Sequence, residues 1–225
     1  ERRVPNISLK DVHLVKGSDS NLGAGASGSV TAQMWQGNKV AVKMIHGVTS
    51  DGTAEDELAM YGAVGSDGME NRVVGCLALF HDGDKSGVVM ERIPTGIDGQ
   101  ALQDLALPPT IVEVTKDRWV PNDARVYNVA FIENALRDAM SALSYLHNVA
   151  GIAHGDFYAH NIKVDNKSGR LYLLDLGASW ATGAYAKQAE KLEVRAFGIL
   201  INELLELQQD ATTTQGRTLH DALFQ

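Results

Sequence analysis

One cysteine, Cys76, in 225 residues rules out an internal disulfide. A lone thiol is expected to act as a small buried hydrophobe. It fits a reducing compartment, or a fold that needs no oxidation. Long apolar runs are also missing. No stretch approaches the ~20 residues needed to span a bilayer. The opening ERRVPNISLKD lacks the continuous apolar middle of a secretory signal. Basic residues are few: 20 Lys and Arg against 28 Asp and Glu leave a formal charge of −8. That balance disfavours nucleic acid and anionic membrane surfaces as main partners. No internal repeat or low-complexity segment occurs. Zinc-site spacing is absent as well, because His154 and His160 have no cysteine or carboxylate at the usual intervals. His147 falls at a helix end, where a surface histidine is favoured by the dipole. What remains is 44% hydrophobic and 21% charged, enough for one large domain or two small lobes with a buried core.

The most informative string is HGDFYAHN, His154 to Asn161, followed by LLDLG, Leu173 to Gly177. Asp156 and Asn161 stand five residues apart, and Asp175 follows fourteen later. Phosphoryl transfer needs a carboxylate to orient a hydroxyl, and an amide and a second carboxylate for metal ions on the phosphates. The pattern H-x-D-x-x-x-x-N then D-x-G supplies all three. His154 is expected to hold the loop rather than do chemistry. Upstream, GAGASGSV contains Gly23, Gly25 and Gly28, with Ser27 between them and Val30 after. Backbone N–H groups reach phosphates closely only where no side chain intervenes. A strand follows this turn, whereas a dinucleotide-binding glycine motif leads into a helix. Lys43 lies in VAVKM, thirteen residues after Val30, placed to meet α- and β-phosphates. Glu57 is the expected partner of Lys43, with Glu55 as the alternative.

Alternating and apolar runs predict strands within residues 9–46, at 72–80 and at 86–92. The Gly/Ser-rich turn and Gly37-Asn38 separate those in 9–46. A helix is predicted over Thr53 to Val64, capped by Thr53. Pro94-Thr95-Gly96 marks a lobe boundary, giving lobes 1–93 and 94–225, and 107–121 reads as a loop or insertion. A long helix is expected from a cap at Asp123 to about Asn148. Its buried face would hold Val126, Val129, Ile132, Leu136, Met140, Leu143 and Leu146, and Gly151 would end it. IKVD and RLYLLDL flank a turn. A last helix, Leu192 to Leu207, would carry Val194, Phe197, Leu200, Ile201, Leu204 and Leu205 on an apolar surface. The expected class is therefore α+β: a β-rich first lobe and a helical, truncated second lobe.

From about Leu9 to Leu207 these motifs resemble a protein kinase. The resemblance implies ATP and Mg2+ as cofactors, and a catalytic set of Asp156, Lys43, Asn161 and Asp175, with Asn161 and Asp175 on the metal. It implies Val30, Ala41 and Met90 around the adenine and Glu91 to Ile93 as the hinge. Departures accompany the matches. Gly155 stands where many kinases carry arginine, which implies activity without a phosphorylated activation loop. Tyr158 stands where serine/threonine kinases carry lysine. Lys163 stands where an aliphatic residue floors the adenine pocket. Glu193 stands where the helix usually opens with aspartate. Only Ala178 to Lys191 separates the DLG turn from the last helix, no A-P-E motif occurs, and few residues follow. In its HGD loop, short activation segment and early stop the chain is similar to the HopBF type III effectors. These are minimal kinases that bacteria inject into host cytoplasm, and they phosphorylate a eukaryotic heat-shock chaperone. That resemblance implies a serine/threonine acceptor on a host protein; the oligomeric state is open, with a monomer favoured. Two other readings stay open. Aminoglycoside- and choline-type phosphotransferases share H-G-D-x-x-x-x-N but carry an acidic residue where this chain has Gly177. A pseudokinase binding module is the other, raised by Lys163.

Overall fold

The computed structural model describes residues 4–14, 21–25, 28–49, 52–110, 112, 117–119 and 127–208. Its first part is a mainly antiparallel sheet, with β1 parallel to β8, and one α-helix. The strands are β1 (Asn6–Ile7), β2 (His13–Leu14), β3 (Asn21–Gly25), β4 (Gly28–Trp35) and β5 (Asn38–Ile45). Next come the small pair β6 (Val48–Thr49) and β7 (Gly52–Thr53), helix α1 (Ala54–Val64), β8 (Cys76–Asp82) and β9 (Lys85–Met90). The main sheet runs β1-β8-β9-β5-β4-β2, with β3 paired to β4. The second part holds β10 (Gln103–Asp104), α2 (Val129–Tyr145), β11 (Ile152–Ala153), β12 (Ile162–Val164), β13 (Leu171–Leu173), β14 (Trp180–Ala181) and α3 (Ala186–Glu206). The architecture is α+β, with a β-rich first lobe and a helical second lobe.

Alternation along β5 decides what faces the cleft. Val40 and Val42 join Val12, Ala78, Phe80 and Val89 in a core on one sheet face. Ala41 and Lys43 point the other way, as period-2 geometry requires. Register completes that face, because directly opposed residues share a side: Lys43 opposes Val30 on β4, and Ala41 opposes Met90 on β9. Gly28 opposes Ile45 at the end of the β4–β5 ladder. A Cβ on it would lie 3.1 Å from the Met44 carbonyl carbon and nearer still to its oxygen, so only glycine fits that approach.

Helix α1 starts as expected. The Thr53 hydroxyl accepts the Asp56 N–H, and the Asp56 carboxylate accepts the Thr53 N–H. The main core spans both lobes, joining Val73, Val88 and Met90 to Ile132, Leu146, Ile162, Leu173 and Leu204. Several links bind the lobes directly, two of them to main-chain groups. Backbone bonds run between Arg72–Val74 and Leu173, and the Tyr145 hydroxyl donates to Val64 O at 2.6 Å. Cys76 is fully buried, and burial pushes its thiol up to about 12. Among the described residues no helix is long and apolar enough to cross a membrane.

Several sequence expectations are corrected. Helix α2 begins at Val129, with Asn128 capping the Phe131 N–H at 2.8 Å. Tyr127 bridges to Gln208, so the chain is extended there rather than helical. Asp123 and Val126 lie outside the described residues. Met140 is 57% exposed, because the buried stripe of α2 runs through Ala135, Leu136, Ala139 and Leu143. α3 starts at Ala186, and its buried stripe is Ala189, Glu193, Leu200 and Leu204. Leu192 and Val194 lie off that stripe and are exposed. The strand expected from Arg72 begins at Cys76, because Arg72 takes a left-handed backbone and Val73 pairs with Leu173 instead. Leu9 to Asp11 forms a 3₁₀ turn capped by Ser8, where a strand was expected. The short strands β1, β10, β11 and β14 were not legible. Each has two residues and is defined by a partner distant in sequence.

Candidate active site

A cavity of about 1000 Å³ opens between the sheet and the second lobe. Gly23, Gly25, Gly28, Val30, Ala41, Lys43, Met90, Glu91, Ile93, Asn161 and Asp175 all line it. Ser27 lies outside the described residues. Glu57 is behind the wall, 4% exposed, with Lys43.

Lys43 is the electrostatic centre of the cavity. Its Nζ stands 2.6 Å from Glu57 Oε1 and 2.7 Å from Asp175 Oδ1. Burial alone would lower its pKa. The pull of Tyr61, Asp175 and Glu57 outweighs this and holds the ammonium above the ordinary lysine value. Tyr61 is itself pushed up by burial and stays neutral at pH 7, so the two carboxylates carry the effect there. Glu55, the alternative partner, is exposed. Tyr61 is a lining residue that the sequence reading missed. It lies four residues after Glu57 on the same face of α1, with Lys43 Nζ 6.0 Å from its ring centre. The i, i+4 spacing was the available signal.

Asp175 has φ 52°, a left-handed backbone that costs a non-glycine residue energy and clusters at functional sites. Its Oδ1 accepts the Gly177 N–H at 3.1 Å and the Lys43 ammonium. Burial opposes ionisation, but Lys43 and the Gly177 N–H outweigh it and hold Asp175 below the usual carboxylate value.

Asp156 does not line the cavity; it adjoins the cavity through Asn161. The Asn161 Nδ2 donates to Asp156 O at 2.9 Å and to Asp156 Oδ2 at 2.8 Å. The His160 Nε2 faces the same Oδ2 at 3.5 Å. The hydrogen bond from His160, helped by Asn161, holds Asp156 below the ordinary aspartate value against burial. The Asp156 side chain remains 41% exposed. Oδ2 is thus engaged from two sides, by Asn161 and His160. His154 is fully buried. Its Nε2 bonds the Leu174 carbonyl at 2.7 Å, and its Nδ1 accepts the Asp156 N–H at 3.3 Å, so it holds the loop.

Around this loop the departures gain structural reasons. Gly155 has φ 80°, and a Cβ there would overlap the Ala178 carbonyl, so arginine has no room. The Gly155 N–H instead donates to Glu193 Oε1 at 2.8 Å. Glu193 lies well inside α3 rather than at its start, and its Oε2 meets His147 Nε2 at 2.5 Å. His147 is thus joined to the loop only through Glu193 and is not a free surface histidine. The segment after Gly177 is tied down by main chain. β11 pairs with β14, Ser179 Oγ donates to His154 O at 2.9 Å, and Thr182 N and Oγ1 both donate to Gly151 O. Lys163 lines the cavity, and its Nζ pairs with Asp104 of β10 at 2.7 Å. Asp104 and Asp117 are two further residues near the site that the sequence reading missed. Neither belongs to a motif, and both meet their partners only through the fold.

The donor set suits a hard cation. Asn161 and Asp175 offer an amide and a carboxylate oxygen, and Mg2+ typically takes one or two protein ligands and completes its shell with phosphate oxygens and water. No group of three or more histidine, cysteine or acidic residues that could hold a metal by itself occurs among the described residues.

One comparison with known proteins agrees with this geometry. No curated protein matches the chain. The protein kinase domain model matches residues 17–197, which takes in the glycine hairpin, Lys43, the catalytic loop, Asp175 and the first half of α3. With four-fifths of its length matched, the chain belongs to the protein kinase domain family.

Proposed function

We propose that the chain is an ATP- and Mg2+-dependent protein kinase that phosphorylates serine or threonine hydroxyls of a host protein. The observation that carries this reading is the state of Asp156: its Oδ2 is fixed by Asn161, which lines the cavity, and its side chain stays 41% exposed. Val30, Ala41 and Met90 enclose the adenine, and the backbone of Glu91 to Ile93 meets its edge. Gly23, Gly25, Ser27 and Gly28 cover the phosphates. Lys43, aligned by Glu57, binds the α- and β-phosphates. Asp156 orients the acceptor hydroxyl and takes its proton late in transfer, as the acceptor oxygen bonds to the γ-phosphorus and the β–γ bridge breaks. Asn161 and Asp175 would hold Mg2+, which when bound neutralises charge developing on the phosphates. The two lobes divide at 93/94, so that the nucleotide lies beside the Glu91–Ile93 connection.

The Lys163–Asp104 ion pair supports turnover over a pseudokinase, because the ammonium is neutralised and the stem can serve as the pocket floor. Gly177 in place of an acidic residue favours a protein acceptor over a small aminoglycoside or choline substrate. The HGD loop and short activation segment support a role as an injected bacterial effector of the HopBF kind, acting in host cytoplasm on a heat-shock chaperone. The backbone ties of Ser179 and Thr182 support activity without activation-loop phosphorylation.

The test is transfer of labelled γ-phosphate from ATP in eukaryotic lysate, with Asp156→Ala as control and mass spectrometry of labelled bands. A labelled protein that disappears with the variant is the expected result, and a chaperone band would support the effector assignment. Labelling only of small hydroxyl compounds would replace this reading with the small-molecule enzyme. No transfer of either kind would leave the pseudokinase.

A further inference from the structure

A second carboxylate, Asp117, reaches the loop that carries Asp156. Asp117 comes from the stretch that reads as an insertion, and its side chain is almost fully buried against the catalytic loop. Two backbone bonds between Leu107 and Arg118, at 2.9 and 3.0 Å, fix Arg118 beside Asp117. Asp117 Oδ2 accepts the His160 backbone N–H at 3.0 Å, and Oδ1 meets His160 Nδ1 at 2.6 Å. On the far side of the ring, Nε2 faces Asp156 Oδ2 at 3.5 Å. The Tyr158 ring stacks on the imidazole at 5.9 Å and 13°. Carboxylate oxygens only accept, so a ring nitrogen facing one is favourable when it donates. The imidazole is thus a short rigid spacer between a buried carboxylate and the catalytic one. Without it, among the described residues only Asn161 Nδ2 holds the Asp156 side chain.

We infer that His160 is a positioning residue: anchored by Asp117, it fixes the Asp156 carboxylate so that Oδ1 meets the acceptor hydroxyl. This rests on the phosphoryl-transfer reading. It also gives the insertion a task, to bring Asp117 to the catalytic loop.

The test measures labelled transfer from ATP to lysate protein at fixed lysate and varied ATP, giving an apparent kcat and an ATP KM. Thermal unfolding with and without Mg·ATP is measured alongside. His160→Ala is expected to lower kcat ~10- to 100-fold, since misplacement by ~1 Å costs that much. Its ATP KM and nucleotide-induced thermal shift should stay within twofold of the parent values. His160→Gln keeps one donor and should recover part of the rate. Asp117→Asn should lower kcat less, and the double variant should be no slower than His160→Ala, because the two act through one contact. An unchanged kcat in His160→Ala overturns the inference. So does a joint loss of kcat, ATP affinity and melting temperature in all three single variants, which marks a structural role. Additive losses in the double variant also overturn it. If the parent and Asp156→Ala transfer equally little, the phosphoryl-transfer reading itself falls and this inference with it. A parent that is active and sensitive to Asp156→Ala but indifferent to His160→Ala sinks the inference alone.

Discussion

Replacing Gly155 by alanine separates two costs that the catalytic loop imposes. Gly155 and Gly151 both have left-handed backbones, at φ 80° and φ 70°. An alanine at either carries ~1–2 kcal/mol of conformational strain. Their surroundings differ. A Cβ on Gly151 has nothing within 4 Å, whereas one on Gly155 would lie 2.9 Å from the Ala178 carbonyl carbon and nearer still to its oxygen. Only Gly155→Ala therefore has to displace Ala178. That shift pulls on the Ser179 hydroxyl bound to His154 O and on the pairing of β11 with β14. Two hydrogen bonds are at stake, at ~1 kcal/mol each. Gly155→Ala is thus expected to cost ~3–4 kcal/mol and Gly151→Ala ~1–2 kcal/mol. The difference of ~2 kcal/mol corresponds to ~4–8 °C in Tm for a chain of this size. Thermal unfolding followed by circular dichroism at equal protein concentration reads it directly. Transfer activity should fall with Gly155→Ala and hold with Gly151→Ala. Equal melting temperatures would refute the argument that the close approach of Ala178, and not the backbone angle alone, demands glycine before Asp156.

Lys43→Met takes the cation away from the buried Glu57 and should destabilise the fold by ~3–5 kcal/mol; adding Glu57→Gln should restore most of the melting temperature and none of the transfer activity. Asp156→Ala should cut transfer at least ~100-fold while the Mg·ATP thermal shift survives; loss of the shift would mean that Asp156 serves nucleotide binding. The folded-state pKa of Asp175 is depressed, so its contribution to stability is present above the ordinary aspartate range and is lost as pH falls through the lowered value. Asp175→Asn should accordingly flatten the acid limb of a stability-against-pH curve, and an unchanged limb would count against the Lys43–Asp175 pair. Lys163→Leu breaks a half-exposed ion pair and should change stability by less than ~1 kcal/mol; it should lower the ATP KM by making the cavity floor apolar, and a raised KM would assign the ammonium a direct role in binding nucleotide.

The residues proposed for catalysis could be grouped from the sequence because they fall at short spacings. Asp156 and Asn161 share one loop, and the Asn161 amide reaches Asp156 within five residues. Lys43 was legible because period-2 alternation in β5 sends Ala41 and Lys43 to one face, whatever the rest of the fold does. The start of α1 was legible because the Thr53–Asp56 cap is local. The reading failed where a partner elsewhere in the chain decides. Val194 and Met140 fit a helical apolar pattern, yet each lies outside the stripe that its helix buries. Two-residue strands such as β10 and β14 carry no periodicity and exist only through their partners.

The sequence by itself determined the family's motifs, their order, and the two-lobed α+β layout, since local propensity and spacing suffice for these. Only the tertiary structure decided that Gly155 stands against Ala178, that Glu193 holds the catalytic loop from inside α3, that Asp104 neutralises Lys163, and that Asp117 reaches Asp156 through His160. Each of these depends on a carboxylate or carbonyl brought close by packing of distant segments. Hydrogen bonds and ion pairs act over a few ångströms of space, and distance along the chain does not encode that proximity.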